Sequence, residues 1–289
     1  MNPMKLCRFK TNDDQPRVGL LTPNGRSVID LSAAGVARLD SLLEAKDLLK
    51  RLKKFAEAEL PRHALAKVTL LAPVDQQEIW AVGVTYLRSK AARMEESDFS
   101  ATAYDRVYDA PRPELFFKSQ PEKAVGHGDT VGIRRDATWN VPEPELTLVF
   151  SSRGTLVGFT VGNDMSSRDI EGENLLYLPQ AKIYDRACAV GPWILVGAKE
   201  STARTWTIGV AIRRQGKTVF SGRTSVGRIK RRFNELRDYL FRSQTFPHGA
   251  LLLTGTGVVP DDDFTLQVGD EIAISVSGIG TLTNTVTVV

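Results

Sequence analysis

Apolar and polar positions alternate in short runs along most of this chain, the period of half-buried strands rather than of long helices. Residues 4–9, 17–21 and 27–31 predict three strands, the last two joined by a turn at Pro23-Asn24-Gly25. Residues 38–57 carry Leu39, Leu42, Leu43, Leu48, Leu49 and Leu52 at helical intervals. A further strand over 68–72 stops at Pro73. These elements predict a small α+β N-terminal domain over residues 1–70 and a larger domain over 71–289.

The larger domain opens with a predicted strand over 78–84. A charged segment, 87–112, follows; a helix from Arg88 to Glu96 is expected within it, and the segment would act as a mobile lid. Pro111 and Pro113 stiffen the next stretch and bring Glu114 to the mouth of a strand that begins at Leu115. Two apolar strands flank the turn at 151–154 and end at Asp164. Residues 203–220 predict strands around Gln215-Gly216, and 251–289 supply more. Between them Ser225 is expected to cap a helix reaching Arg242, with Val226, Ile229, Phe233, Leu236 and Leu240 as its apolar stripe. The fold class is α+β and β-rich, with a mixed β-roll or distorted barrel as the expected architecture of the larger domain.

Composition narrows the function classes. The 289 residues are 42% hydrophobic and 25% charged, with a net charge of +4, ordinary for a soluble globular protein. Such a small positive balance gives no ground for nucleic-acid binding and leaves room for an anionic small-molecule substrate. The basic run Arg228, Lys230, Arg231, Arg232 and Arg237 lacks interleaved aromatics and is expected to be a solvated helix face. Two cysteines, Cys7 and Cys188, suggest no disulfide framework. No apolar run approaches membrane-spanning length and the first ten residues lack a signal-peptide core, so a reducing, cytoplasmic setting is expected.

The candidate chemistry centres on acids. Glu143 and Glu145 are two residues apart in a strand, so both carboxylates face one side. The returning strand delivers Asp164 close to them. Three adjacent carboxylates suit a hard divalent cation, Mg²⁺ or Mn²⁺, and no Cys/His cluster argues for zinc. The same spacing also fits a solvated strand face beside an unrelated turn aspartate. Lys182 follows the apolar run 175–179 and could be a base of lowered pKa against an apolar wall, or an exposed strand-end lysine. Glu114 suits either a positioned acid or base or a loop carboxylate. His63 is expected at a surface or boundary and His127 in a structural turn.

The ordered motifs Pro142-Glu143-Pro144-Glu145-Leu146, Gly158-Phe159-Thr160-Val161-Gly162-Asn163-Asp164-Met165-Ser166-Ser167-Arg168-Asp169, Lys182-Ile183-Tyr184-Asp185 with Gly191-Pro192-Trp193-Ile194, and Leu253-Thr254-Gly255-Thr256-Gly257 resemble the fumarylacetoacetate hydrolase family. The resemblance implies that family's β-rich fold, a homodimer, metal ligation by Glu143, Glu145 and Asp164, and an active-site lysine at Lys182. One position departs from the family's hydrolases: where they carry a histidine that activates water with a nearby glutamate, this chain has Ser89, with Glu95 and Glu96 downstream. Arg112-Pro113-Glu114-Leu115-Phe116-Phe117-Lys118, Val125-Gly126-His127-Gly128 and Glu173-Asn174-Leu175-Leu176-Tyr177-Leu178-Pro179-Gln180 are similar to the family's 2-keto-3-deoxy-D-arabinonate dehydratase branch, which also lacks that histidine. This implies proton transfer by Glu114 and Lys182, a 2-oxo sugar acid as substrate, and substrate contacts from Thr85, Tyr86, Phe117, Pro179 and Thr256. The alternatives are a C–C hydrolase or decarboxylase of an oxo-diacid, and a non-catalytic metal-binding protein that keeps the fold.

Overall fold

The computed structural model describes residues 2–87 and 106–289. The expected helix at 88–96, Ser89, Glu95, Glu96 and most of the proposed lid lie outside the described residues.

Two sheets carry the architecture. The larger has twelve strands. Its main path runs Arg62–Ala64, Ser27–Asp30, Arg17–Leu21, Met4–Lys10, Cys188–Val196, Leu156–Asp164, Pro144–Phe150, Ala250–Leu253, Glu78–Val82 and Leu115–Ser119. Most neighbours are antiparallel, but Ala250–Leu253 runs parallel to Glu78–Val82. The second sheet has five strands, in the order Lys217–Ser225, Thr207–Arg214, Glu271–Val276, Gly280–Val288 and Thr130–Ile133.

Alternation explains how these strands stack. Along the large sheet, Leu146, Leu148, Phe150, Phe159 and Leu252 point to one face, where they meet Ile208, Val210, Ile272, Ile274 and Leu282 of the second sheet in one buried cluster. The opposite face carries Val149, Val190, Leu251, Leu253 and Ile79. Leu39, Leu42, Leu43, Leu48 and Leu52, from helices Leu39–Leu43 and Leu48–Glu57, cover it. The N-terminal strands join this same sheet, since Leu6 pairs opposite Ile194.

Three expectations need correcting. The larger sheet stays open, with Arg62–Ala64 and Leu115–Ser119 as the ends of its path, and does not close as a barrel among the described residues. Each face already has a cover, one the second sheet and the other the helices, so closure is not needed to bury it. The helix expected over 38–57 breaks after Leu43 because the step to Leu48 is five residues, off the helical interval. In the break, Glu44 turns away to accept hydrogen bonds from the Ser152 amide at 2.6 Å and its hydroxyl at 2.8 Å. The helix expected from Ser225 starts only at Phe233 and ends at Leu240. Ser225 caps a single 3-10 turn, Val226–Arg228, by accepting from the Gly227 amide. The Lys230 amide then leaves the helical path to donate to the Thr85 carbonyl at 3.0 Å.

Close backbone approach places a specific demand on Gly162. A Cβ there would lie 2.3 Å from Thr147 Oγ1 on the neighbouring strand. Gly162→Ala should therefore destabilise the protein by about 1–3 kcal/mol through overpacking, read as a lower urea midpoint at unchanged slope.

Candidate active site

The strand pair Pro144–Phe150 and Leu156–Asp164 builds the centre of the site. Glu143, just ahead of the first strand, exchanges both backbone hydrogen bonds with Asp164, at 3.2 and 3.0 Å. The two residues are thus directly opposite, with side chains on one face. Glu145 lies two residues on, opposite Gly162, and shares that face. All three carboxylates are buried, and one oxygen from each lies within 4.8 Å of the others.

Cations surround this acid group. The Lys182 ammonium, fully buried, donates to Glu143 Oε2 at 2.8 Å, Ser166 Oγ at 2.5 Å and Asp164 Oδ2 at 3.4 Å. Arg168 Nη2 lies 2.7 Å from Glu143 Oε1. The buried Lys118 pairs with Asp164 Oδ1 and also donates to the carbonyls of Met165, at 3.0 Å, and Lys182. Among the described residues Glu145 has no such ion pair at short range; its Oε2 accepts from the Gly255 amide at 2.6 Å. Burial, then the negative charges of Asp164 and Glu143, hold the Glu145 carboxyl well above its ordinary value.

The wall residues come from neighbouring strands of the same sheet. The registers Thr147 to Leu253, Leu253 to Ala81 and Ala81 to Phe116 carry one face across four strands. Glu114, Phe116 and Lys118 therefore stand on the same side as Glu143 and Glu145. Phe116, Gly83, Val84, Gly255 and Thr256 line the cleft with the acids, Arg168 and Lys182. Phe116 puts its ring 6.0 Å from the Lys182 ammonium. Glu114 rests its carboxylate on Gly83, where a Cβ would come within 2.2 Å of Oε2. Val84 takes a left-handed φ of 51°, a strained conformation for a β-branched residue.

The remaining sequence candidates occupy different places. Thr256 lines the cleft and hydrogen-bonds to the Pro144 carbonyl at 3.1 Å. Thr85 is buried behind it, donating to the Thr254 carbonyl at 2.6 Å. Tyr86 lies in the core between the two sheets, against Gly257, and burial raises its pKa. Phe117 points to the other face of its strand and meets Trp80 edge-on at 5.9 Å. Pro179 is exposed near the start of helix Leu178–Lys182, as is Leu176 ahead of it. The expected apolar wall of 175–179 is thus partly open to solvent, and the apolar ring next to Lys182 is Phe116. His127 serves a turn, accepting from the Thr283 amide at 3.2 Å. His63 lies beside Asp30 and Phe9 at the N-terminal sheet edge. Both cysteines are free and buried.

Sequence reasoning missed Phe116, Lys118 and Arg168. The two-residue spacing that placed Glu143 with Glu145 also links Glu114, Phe116 and Lys118, so that signal was available. Arg168 stands inside the family motif at 158–169, but nothing in its spacing marks it as a partner of Glu143. It begins helix Arg168–Glu173, and only the return of the chain after Asp164 brings it to Glu143.

A buried site that exposes three hard carboxylate oxygens to one point fits Mg²⁺ or Mn²⁺, and the oxygen-only donor set disfavours zinc or copper. Comparison with known proteins agrees with this chemistry. Residues 78–287 match the family model described as "Fumarylacetoacetate (FAA) hydrolase C-terminal", and the chain belongs to the fumarylacetoacetate hydrolase family, as its motifs imply. It is 45% identical over 256 residues to the "Probable 2-keto-3-deoxyxylonate dehydratase" of Haloferax volcanii, covering 89% of this chain and 86% of that one. It is 39% identical over 218 residues to the "2-dehydro-3-deoxy-D-arabinonate dehydratase" of Saccharolobus solfataricus, covering 74% and 73%. Among solved structures, "2-keto-3-deoxy-D-arabinonate dehydratase complexed with magnesium and 2,5-dioxopentanoate" superposes with a TM-score of 0.83 at 32% identity over 99% of both chains. Among the described residues no helix is long and apolar enough to cross a membrane.

Two outcomes are expected from this electrostatics. In the metal-free protein the Glu145 proton is held more tightly folded than unfolded. Its contribution to stability is full below the ordinary value of 4.5 and is lost as pH rises through the elevated folded value. A divalent cation replaces that proton, so the thermal stabilisation by Mg²⁺ should grow as pH rises above the ordinary value of 4.5 and level off once Glu145 is ionised. It should reach about 2.7 kcal/mol when free Mg²⁺ is roughly 100 times Kd; calorimetric scans with and without Mg²⁺ at several pH values check this. Separately, Lys118→Met leaves Asp164 Oδ1 without its ammonium. The metal-free variant should lose about 3–5 kcal/mol, and saturating Mg²⁺ should restore part of that loss in denaturation curves.

Proposed function

We propose that this protein is a metal-dependent hydro-lyase that dehydrates a 2-keto-3-deoxy sugar acid, with 2-keto-3-deoxypentonate giving 2,5-dioxopentanoate as the favoured reaction. The observation that carries this reading is the buried convergence of Glu143, Glu145 and Asp164 around Lys182, in a chain so similar to 2-keto-3-deoxy sugar acid dehydratases. Glu143, Glu145 and Asp164 would hold the Mg²⁺. When bound, the cation supplies Lewis acidity at the substrate's 2-oxo group and carboxylate, which acidifies the C3 protons.

Lys182 and Glu114 divide the two proton transfers. One removes a C3 proton; the other protonates the C4 hydroxyl as the C4–O bond breaks, so one water leaves and a C3–C4 double bond forms. Tautomerisation then converts the C5 carbinol into the terminal aldehyde of the product. Thr256, on the wall beside Gly255, is suited to orient a carboxylate or hydroxyl, and Phe116 keeps the Lys182 side of the cleft apolar. Thr85 and Tyr86 lie behind that wall and shape it. A homodimer and a cytoplasmic setting belong to this proposal on the family likeness alone.

Purified protein with Mg²⁺ should convert a 2-keto-3-deoxypentonate to 2,5-dioxopentanoate, followed by a semialdehyde-specific dehydrogenase or by mass. EDTA should stop turnover. Glu143→Gln, Glu114→Gln and Lys182→Met should each lower kcat by roughly 100-fold or more. Pyruvate or CO₂ as product would reject the dehydratase in favour of a C–C hydrolase or decarboxylase of an oxo-diacid.

A further inference from the structure

The basic run Arg228 to Arg232 looks, from its composition, like a solvated surface. Arg231 contradicts that appearance, because it is 8% exposed. Its guanidinium donates to three carbonyls of one short stretch: Val107 at 3.3 Å, Ala110 at 2.5 Å and Pro111 at 3.2 Å. A further contact, to Glu235 Oε1 at 2.6 Å, fixes its charge in place. Lys230 adds to the same stretch, donating to the Tyr108 carbonyl at 2.7 Å and to Asp109, with its ammonium 4.1 Å from the Tyr108 ring centre. The Lys230 amide reaches the other way, to the Thr85 carbonyl at 3.0 Å. Behind both residues, Arg204 anchors the run by donating to the carbonyls of Ile229 at 2.8 Å and Arg231 at 2.7 Å.

Lys230 and Arg231 therefore grip two pieces of chain that meet at the cleft. Thr85 directly follows Gly83 and Val84, which line it. Residues 107–111 lead through Arg112 and the buried Pro113 to Glu114. With φ fixed at Pro113 and Arg112 held extended by the proline after it, little rotational freedom separates the gripped Pro111 carbonyl from Glu114. At the far end the two pieces touch again: the Gly83 amide donates to the Glu114 carbonyl at 3.0 Å, and the Glu114 carboxylate rests on Gly83.

We propose that Arg231 and Lys230 are positioning residues for Glu114, setting the distance between the Glu114 carboxylate and the Gly83–Val84 wall without touching substrate themselves. The guanidinium suits position 231 because its two outer nitrogens divide four acceptors between them, the Pro111 carbonyl and Glu235 on one and the Val107 and Ala110 carbonyls on the other, more than the three donors of one ammonium can serve. This assignment rests on the proton-transfer role given to Glu114 above.

The test compares Arg231→Met, Arg231→Lys and Lys230→Met, each alone and combined with Glu114→Gln. Alone, Arg231→Met and Arg231→Lys should lower kcat by roughly 100-fold, the cost of an ångström-scale misplacement, while substrate KM and the Mg²⁺ midpoint stay within about twofold. In the Glu114→Gln background the same substitutions should add almost nothing, because the group they position is already disabled. An undiminished loss in that background, or an unchanged kcat, overturns the proposal. Lys230→Met changes a partly exposed side chain and gives the same comparison should the Arg231 variants fail to fold. If the wild-type protein does not turn over the deoxy acid, the dehydratase reading fails by itself. Amide hydrogen exchange at Gly83 then decides the positioning: roughly tenfold faster exchange in Lys230→Met or Arg231→Met supports it, and unchanged exchange overturns it.

Discussion

Mutual repulsion among Glu143, Glu145 and Asp164 is the constraint around which this site is arranged. Two like charges about 4 Å apart cost about 4 kcal/mol at an effective dielectric of about 20, and burial adds desolvation. The structure answers with buried cations, each assigned to particular oxygens: Lys182 and Arg168 on Glu143, and Lys182 and Lys118 on Asp164. Among the described residues Glu145 keeps only a backbone donor at short range, and it is the carboxyl whose pKa rises. The acid group is thus a partly compensated charge cluster, ready to gain from a divalent cation that contacts all three oxygens at once.

Such a cluster needs a rigid support, and the large sheet provides it. Directly opposed residues on antiparallel strands set Glu143 against Asp164 through backbone hydrogen bonds rather than through flexible side chains. The same face continues through Leu253 and Ala81 to Phe116, so Glu114 and Lys118 stand in register with the acids although they come from a distant part of the chain. Beneath the site this face turns apolar and is sealed by the N-terminal helices. Gly83 and Gly162 make the arrangement possible, since a side chain at either would collide with Glu114 or Thr147.

This geometry bears directly on the chemistry of the family. Acidifying a carbon next to a 2-oxo group requires a cation at the oxygen and a proton acceptor at the carbon, held apart yet within one substrate's reach. Here the three acids that could hold the cation lie on or beside two central strands, while Glu114 and Lys182 approach from the mouth of a flanking strand and from the end of a short helix. Groups placed on separate regular elements resist collapse onto one another. The loop at 229–231 extends that logic outward by tying the approach to Glu114 to the wall that faces it.

Much of this site could be read from order along the chain. Alternation placed Glu143 beside Glu145, the hairpin predicted the return to Asp164, and the motifs carried Lys182 and Glu114 together with the family. Local periodicity also located most strands, because a strand's apolar rhythm is written in its own residues. What it could not show was which strands become neighbours. The choice of Phe117 over Phe116, the overlooked Lys118 and Arg168, the expected barrel, and Arg231 read with its exposed neighbours as surface all turned on pairings between residues far apart in sequence. Composition identifies a lysine or an arginine as charged; only the fold decides whether that charge meets water, a carboxylate at 2.8 Å, or the carbonyls of another segment.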